Sequence, residues 1–254
     1  IVWLAGWYPT PSNQLAGVFV QRHFLALSKA LSKYDTAHLY HIHVDESVAS
    51  NRVSSNNEHL VTITKSRGLF PRVLNAIHFH LKAFKELKEA LKTADLVHVH
   101  AGDKIGFWAA WFKRKYGYKL LYTEHWAIFD SSTPDAYEKR NAWFRFYMKW
   151  LWKKTDLVAS ISTKLYHSME EKYAVSKPYM IFPNVLDQAF EEFKNNSRPK
   201  KKSTKDVVTL LHISNFEVRK NITELIDAVN NLIRVGKKLR LILIGAGSET
   251  FSDY

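Results

Sequence analysis

The chain has 254 residues, 46% of them hydrophobic and none of them cysteine, which excludes global disorder, disulfides, thiol catalysis and cysteine-bound metal. Its formal net charge of +13 indicates an anionic partner, such as nucleic acid, acidic lipid headgroups or a phosphorylated small molecule. No apolar run approaches the ~18 residues that span a bilayer and no signal peptide stands at the front, so a cytoplasmic protein is expected.

The first predicted unit is a strand, a loop and a helix. An apolar run from Ile1 to Ala5 predicts the strand, turn-forming residues follow, and the apolar pattern after Gly17 predicts a helix that reaches Leu31. Since the first amides of a helix have no intrahelical partner, such a loop can hold a phosphate, although ordinary turn chemistry also explains Gly17. The loop lacks Gly-x-Gly-x-x-Gly and Gly-Lys-Ser/Thr, which argues against a dinucleotide fingerprint and a Walker P-loop.

The chain that follows alternates between predicted strands and helices. Strands are predicted over residues 36–44, 59–64, 96–99, 119–122, 157–161 and 179–182. Helices are predicted over residues 71–93, 105–116, 137–154 and 164–173, and a loop over 45–58. This alternation predicts an α/β fold with a parallel sheet covered on both faces. Six apolar residues of the helix 71–93 recur at intervals of three and four, which predicts one buried face: Leu74, Ile77, Leu81, Phe84, Leu87 and Leu91.

Two domains of the same class are predicted. Residues 1–190 form a complete first domain, and residues 191–205 form a basic linker without an apolar residue between 195 and 205. Residues 206–254 begin a second domain, with strands over 207–213 and 239–244 around a helix over 221–235. Two or three strands cannot bury both faces of a sheet, so the second domain is expected to be incomplete in this chain.

The segments that follow the strands form the candidate site, because ligands of open α/β sheets bind beyond the carboxyl ends of the strands. These segments are the Gly17 loop, Thr123-Glu124-His125-Trp126, residues 183–187 and residues 214–221. We expect them to converge on one crevice between two lobes.

Six short motifs occur in order along the chain: Trp7-Tyr8-Pro9, 17–23, Thr123-Glu124-His125, Pro183-Asn184 with Asp187, 213–216 with Lys220, and 244–247. Together they resemble retaining glycosyltransferases of family 4, which have the GT-B fold of two facing Rossmann-like domains. The resemblance implies an enzyme that moves a sugar from a nucleoside-diphosphate sugar to a glycan or lipid-linked acceptor. It also implies an acceptor-side first domain, a nucleotide-sugar-binding second domain, and neither a cofactor nor a metal.

The resemblance implies a role for each matching residue. Gly17 lies against the donor diphosphate, His125 stands near the transferred sugar, and Lys220 neutralises the diphosphate leaving group. Where many family members have Gly-Arg before the lysine, this chain has Ile213-Ser214 or Ser214-Asn215, so the usual second phosphate cation is missing unless Arg219 substitutes for it. The remaining residues implied to bind the nucleotide sugar are Asn184, Ser214, Asn215, Gly245 and Gly247.

The implied mechanism is a same-face displacement assisted by the leaving phosphate, with retention at the anomeric carbon. Glu124 and Asp130 are the nearest acidic alternatives, and a surface carboxylate at a strand end is the ordinary interpretation of Glu124. The family's paired glutamates match no residue of this chain, so the fragment is expected to be inactive alone.

The predicted helix 137–154 is rich in aromatic residues and carries six cations. Trp143, Tyr147 and Trp150 share one stripe, which core packing explains, while the extra aromatics and the cations suit an anionic membrane surface. The residues predicted to contact a membrane or a lipid-linked acceptor are Trp143, Arg145, Trp150 and Trp152. Synthesis of cell-surface polysaccharide or glycolipid at the inner face of the membrane is the expected setting.

Histidines occur on two predicted strands, with His98 and His100 on one and His38, His41 and His43 on another. A metal site would need a further ligand nearby, so structural histidines and no metal are predicted. Two other functions fit the fold class, namely a basic Rossmann-like module that binds nucleic acid and a sugar-nucleotide epimerase. A continuous stripe of positive charge would favour nucleic acid, which is not the predicted partner.

Overall fold

The computed structural model describes residues 1–31, 35–46, 48–67, 70–102, 104–131, 133, 135–186, 190, 207–216 and 220–245. The chain divides into two compact units, Ile1–Glu192 and Phe193–Tyr254. The predicted linker 191–205 lies outside the described residues.

The first unit contains an eight-stranded sheet with helices between its strands. The strands are β1 (Val2–Ala5), β2 (His38–Asp45), β3 (Asn51–Ser55), β4 (Glu58–Thr64), β5 (Leu96–His100), β6 (Lys119–Glu124), β7 (Leu157–Ser160) and β8 (Tyr179–Ile181). The helices are α1 (Val18–Ala30), α2 (Pro71–Ala90), α3 (Lys104–Tyr116), α4 (Ala142–Lys154) and α5 (Thr163–Tyr173). The strand order is β3-β4-β2-β1-β5-β6-β7-β8, and every pair is parallel except β3 with β4. The predicted α/β class is confirmed.

The prediction of a loop over residues 45–58 is wrong, because this segment contains strand β3. This strand pairs antiparallel with β4 through a turn in which Asn56 and Asn57 both have positive φ, 49° and 64°. Such a turn matches the twist of the two strands. All five residues of β3 are exposed at the edge of the sheet, so the strand carries no apolar alternation that sequence patterns could detect.

The core lies on both faces of the sheet, as a parallel sheet requires. Strand β1 shows this directly, because Val2 and Leu4 belong to the larger apolar cluster, whereas Trp3 and Ala5 belong to a second cluster. The larger cluster receives side chains from α2 to α5, and the second receives Val20 and other residues of α1. The central strands are thereby removed from water on both sides.

The buried face of helix α2 is not the face that the sequence predicted. Its buried residues are Phe79, Ala83 and Leu87, which lie on one side of the helix. Among the six residues predicted to form the buried face, only Leu87 and Leu91 are buried, and the other four are exposed: Leu74, Ile77, Leu81 and Phe84. The helix therefore has two apolar faces, of which the sheet covers one.

Helix α4 begins later than its predicted start at residue 137. Tyr137–Lys139 forms a separate turn of 3-10 helix, and the α-helix starts after Asn141, whose side chain accepts a hydrogen bond from the Phe144 amide at 2.9 Å. This side chain satisfies an amide that has no intrahelical partner. The local cap thus sets the start of the helix.

The second unit contains two parallel strands and one helix among its described residues. Strands β9 (Val208–Ile213) and β10 (Leu239–Ile244) pair along their whole lengths, and α6 (Ile222–Arg234) connects them. Ile222 and Val229 are its buried residues. The arrangement is one β-α-β crossover of the predicted kind.

Candidate functional site

Residues from four parts of the first unit, namely helix α1 and the carboxyl ends of β5, β6 and β8, meet at one edge of the sheet. His100 ends β5, and its Nδ1 lies 3.3 Å from Nε2 of His125, which follows β6. Phe19 of α1 packs on His125 with ring centroids 4.4 Å apart. His23 of the same helix places its Nε2 3.2 Å from Oδ1 of Asn184, which follows β8. Three segments predicted to form the site therefore contact one another within the first unit.

Gly17 occupies the N-cap of α1 and adopts a left-handed conformation with φ of 62°. A Cβ built on Gly17 would lie 2.5 Å from the carbonyl carbon of Trp7 and 2.7 Å from the nitrogen of Tyr8. Both neighbours are backbone atoms, so no side-chain rotation could relieve the overlap. The glycine thus lets the Trp7-Tyr8 loop pack directly against the start of α1. This packing explains why position 17 is a glycine even without a phosphate that approaches the backbone there.

Glu124 is buried, which corrects its interpretation as a surface carboxylate. Its Oε1 accepts hydrogen bonds from the amides of His125 at 2.8 Å and Trp126 at 3.0 Å, and its Oε2 accepts one from the Tyr122 hydroxyl at 2.5 Å. These bonds to a carboxylate fix the backbone that follows β6. Glu124 therefore positions His125, and sequence reasoning did not detect this role.

The histidine cluster, comprising His23, His98, His100 and His125, is uncharged at neutral pH. Burial, and to a lesser extent the nearby His23, lower the pKa of His125 to about 3 against the opposing effect of a hydrogen bond with Asn184. Burial also lowers the pKa of each of the other three members. Neutral imidazoles can exchange hydrogen bonds with hydroxyl groups but do not supply a positive charge. Among the described residues no group of three potential ligands is arranged to hold a metal ion.

An aromatic wall borders the histidine cluster. The rings of Trp7 and Trp126 have centroids 5.3 Å apart, and the Arg140 guanidinium lies 4.4 Å above the Trp126 ring. Trp7 also contacts Phe19, with centroids 6.3 Å apart. Aromatic side chains around a few convergent polar groups are typical of small-molecule sites. Arg140 lies far from Trp7 and Trp126 in the sequence, so its place here could not be predicted.

The predicted residues of the second unit lie at the carboxyl ends of β9 and β10. The Ser214 amide donates to the Ile244 carbonyl at 3.1 Å, and its hydroxyl lies 2.7 Å from Nε2 of His212. A Cβ on Gly245 would lie 1.7 Å from the Ser214 carbonyl oxygen, so the two segments touch through their backbones. Asn215 is the next residue after Ser214, and Lys220 is exposed just before α6. The predicted residues Arg219, Gly247 and Asp187 lie outside the described residues.

The predicted membrane residues of α4 differ in exposure. Trp143 is 71% exposed and Arg145 is exposed, whereas Trp150 is half-buried with the Lys154 ammonium 5.3 Å above its ring. Trp152 is buried, which corrects its prediction. Its ring stacks on Tyr173 with centroids 4.7 Å apart, and its Nε1 donates to the Val175 carbonyl at 2.9 Å. Trp152 is therefore a core residue of the first unit.

Sequence and fold comparisons define the class of protein as a GT-B glycosyltransferase. A model of Glycosyltransferase Family 4 matches residues 20–190, which is more than half of the chain. The chain therefore belongs to glycosyltransferase family 4. No curated protein sequence matches it.

Solved structures of this fold superpose on nearly the whole chain. Sucrose-phosphate synthase from Thermosynechococcus elongatus is 15% identical with a TM-score of 0.63, over 99% of this chain and 64% of that chain. The structure described as trehalose-6-phosphate from E. coli bound with UDP-2-fluoro glucose is 12% identical with a TM-score of 0.61, over 98% of this chain and 65% of that chain. The catalytic domain of Starch Synthase IV from Arabidopsis thaliana, bound to ADP and acarbose, is 12% identical with a TM-score of 0.54, over 98% of this chain and 69% of that chain. The chain thus spans about two thirds of the length of each, and the likeness is one of fold.

Proposed function

We propose that this protein transfers a sugar from a nucleoside-diphosphate sugar to a glycan or lipid-linked acceptor with retention of configuration. The observation that carries the proposal is the convergence of the Gly17 helix, His125 and Asn184 at the carboxyl ends of β1, β6 and β8. This edge of an open α/β sheet is where ligands bind. Family membership supports the class of reaction.

The first unit serves the acceptor and the second holds the donor in this proposal. Lys220 is an exposed cation at the start of α6, suited to stabilise negative charge that develops on a diphosphate leaving group. Ser214, Asn215 and Gly245, with Arg219 and Gly247, bind the nucleotide sugar. The UDP-2-fluoro glucose of one similar structure and the ADP of another support a nucleotide-linked donor.

The environment of Glu124 supports displacement on one face of the sugar without a covalent intermediate. Both of its carboxylate oxygens are engaged by hydrogen-bond donors, and the side chain is buried. A carboxylate held in this way is a poor nucleophile. His125, being neutral, contributes a hydrogen bond to a hydroxyl of the transferred sugar in this mechanism.

The acceptor belongs to cell-surface polysaccharide or glycolipid synthesis in this proposal, and the protein works at the cytoplasmic face of the membrane. No helix among the described residues is long and apolar enough to cross a membrane. The abundance of basic and aromatic residues supports an acceptor that carries an anionic lipid.

A panel of nucleoside-diphosphate sugars tests the proposal. Donor binding and release of nucleoside diphosphate are both measured on the protein as its gene encodes it, with and without membrane extract. We expect Lys220→Ala and His125→Ala to abolish release, whereas the exposed controls Lys237→Ala and His78→Ala retain it. Binding of none of the donors would overturn the proposal, and isomerisation of a donor without release would establish the epimerase alternative.

A further inference from the structure

Helix α2 presents a second apolar stripe that the described residues leave uncovered. Val73, Ile77, Leu81 and Phe84 recur at helical spacing, and each is between 43% and 65% exposed. The buried face of the same helix is separate and made of other residues. Exposed apolar patches of this extent mark interaction sites in soluble proteins.

The stripe forms one wall of a groove of about 960 Å³ between α2 and the pair α3 and α4. Hydrogen bonds link the three helices that line the groove. The Trp108 indole N–H of α3 donates to Nδ1 of His80 on α2 at 3.1 Å, and Nε2 of His80 lies 3.0 Å from the Tyr147 hydroxyl on α4. Since Trp108 can only donate, His80 carries its proton on Nε2 and donates to Tyr147. The residues that line the groove are Arg72, Val73, Ala76, Ile77, His80, Leu81, Phe84, Lys104, Trp108, Asn141, Trp143, Phe144 and Tyr147.

The apolar surface continues from α2 across α3 onto α4. Phe84 contacts Trp108 with ring centroids 5.5 Å apart, and Phe107 contacts Phe146 with centroids 6.3 Å apart. Below, the name α2–α4 surface denotes the exposed apolar residues of the three helices: Val73, Leu74, Ile77, Leu81, Phe84, Trp111, Trp143 and Phe146.

Most of the charge of the chain lies on the same three helices. They carry twelve lysines and arginines against two glutamates, which is ten of the thirteen net positive charges. The described residues that line the groove include Arg72 and Lys104 but no acid. A second groove of about 470 Å³ beside α4 is lined by Lys149, Lys153 and Lys177, again without a described acid.

We propose that the α2–α4 surface binds an anionic phospholipid membrane, with a lipid chain entering the groove and the surrounding cations contacting headgroup phosphates. Aliphatic residues such as Val73 and Leu81 gain from burial in hydrocarbon, which nucleic acid does not offer. The cations favour an anionic partner, and exposed Trp143 suits the boundary between headgroups and acyl chains. This inference rests on the membrane setting of the proposed function and assigns a surface to it, but it can be tested apart from sugar transfer, since membrane binding requires no catalysis.

Vesicle sedimentation tests the inference with the intact chain. Phosphatidylcholine vesicles are compared with vesicles that contain about 30% phosphatidylglycerol, at low and at raised salt. The variants Val73→Glu and Leu81→Glu place a carboxylate on the α2–α4 surface, and Val53→Glu is the matched control because Val53 is 50% exposed on the edge strand β3, outside that surface. Circular dichroism establishes that each variant is folded.

We expect binding to anionic vesicles that is at least tenfold weaker in Val73→Glu and Leu81→Glu and unchanged beyond twofold in Val53→Glu. Quenching of tryptophan fluorescence by brominated lipid, reduced in Trp143→Phe, is a second readout that needs no carboxylate variant. Absence of binding to anionic vesicles, or equal loss in all three glutamate variants, would overturn the inference. Self-association through this surface, or capture of a helical peptide without vesicle binding, would overturn it as well.

Discussion

Substitution of Gly17 by alanine measures how much the close packing at the start of α1 contributes to stability. Gly17 is left-handed with φ of 62°, a conformation that costs an L-residue roughly 1–2 kcal/mol. The new Cβ would also lie 2.5–2.7 Å from backbone atoms of Trp7 and Tyr8, and forcing extra atoms into a packed site costs typically about 1–3 kcal/mol. We therefore expect Gly17→Ala to lower the free energy of unfolding by about 2–5 kcal/mol.

Gly117→Ala is the matched control. Gly117 is also left-handed, with φ of 77°, but a Cβ there would meet no atom within 4 Å. The control carries the conformational cost alone, about 1–2 kcal/mol. The difference between the two variants isolates the steric overlap against the Trp7-Tyr8 backbone.

Urea unfolding followed by tryptophan fluorescence reports this difference for the first unit, because all eight tryptophans of the chain lie within residues 1–192. Equal destabilisation by Gly17→Ala and Gly117→Ala would refute the reasoning, since it would mean that the loop yields to the new Cβ without cost.

Three further predictions concern polar side chains of the first unit. Glu124→Gln removes the charge that strengthens the hydrogen bond from the His125 amide. We therefore expect the free energy of unfolding, measured with urea, to fall by about 1–2 kcal/mol and turnover to slow. Burial lowers the pKa of His41 from 6.5 to about 4, so its folded form stays neutral while the unfolded chain takes up a proton. His41 should therefore contribute about 1.4 kcal/mol per pH unit to the loss of stability as the pH drops from 6.5 toward 4, and His41→Asn, which retains a donor near Nδ1, should reduce the slope by that amount. Asn184→Ala removes the hydrogen-bond partner of His23 Nε2. We expect it to change the free energy of unfolding by less than about 1 kcal/mol while reducing donor-dependent turnover.

Each of these predictions has an outcome that contradicts it. Unchanged unfolding in Glu124→Gln would mean that the buried charge adds nothing to the turn after β6. An acid slope as steep in His41→Asn as in the unsubstituted protein would mean that His41 takes up no proton on unfolding. A large stability loss in Asn184→Ala would make that residue structural.

Much of the fold could be predicted because hydrophobic periodicity depends on local sequence. The alternation of strands and helices from β4 to β8 follows from apolar runs of strand length between amphipathic stretches. Strand β3 could not be found in this way, since an exposed edge strand needs no apolar residue and is held by its partner β4.

The candidate site was predictable only in part. Residues that follow a strand in sequence, such as His125 and Asn184, could be proposed because parallel strands bring their carboxyl ends to one edge. The burial of Glu124 and the position of Arg140 over Trp126 depend on contacts between distant segments, which no local pattern reports.

The sequence by itself determined where apolar stripes occur, and the tertiary structure decided which of them are covered. Periodicity gives α2 the apolar residues of two faces, but only the packing of the sheet selects Phe79 and Leu87 for burial and leaves Leu81 in water. The same holds for α4, where Trp152 is buried and Trp143 is exposed. The physical reason is that a helix fixes the angles between its side chains, whereas burial depends on the neighbours that other parts of the chain supply.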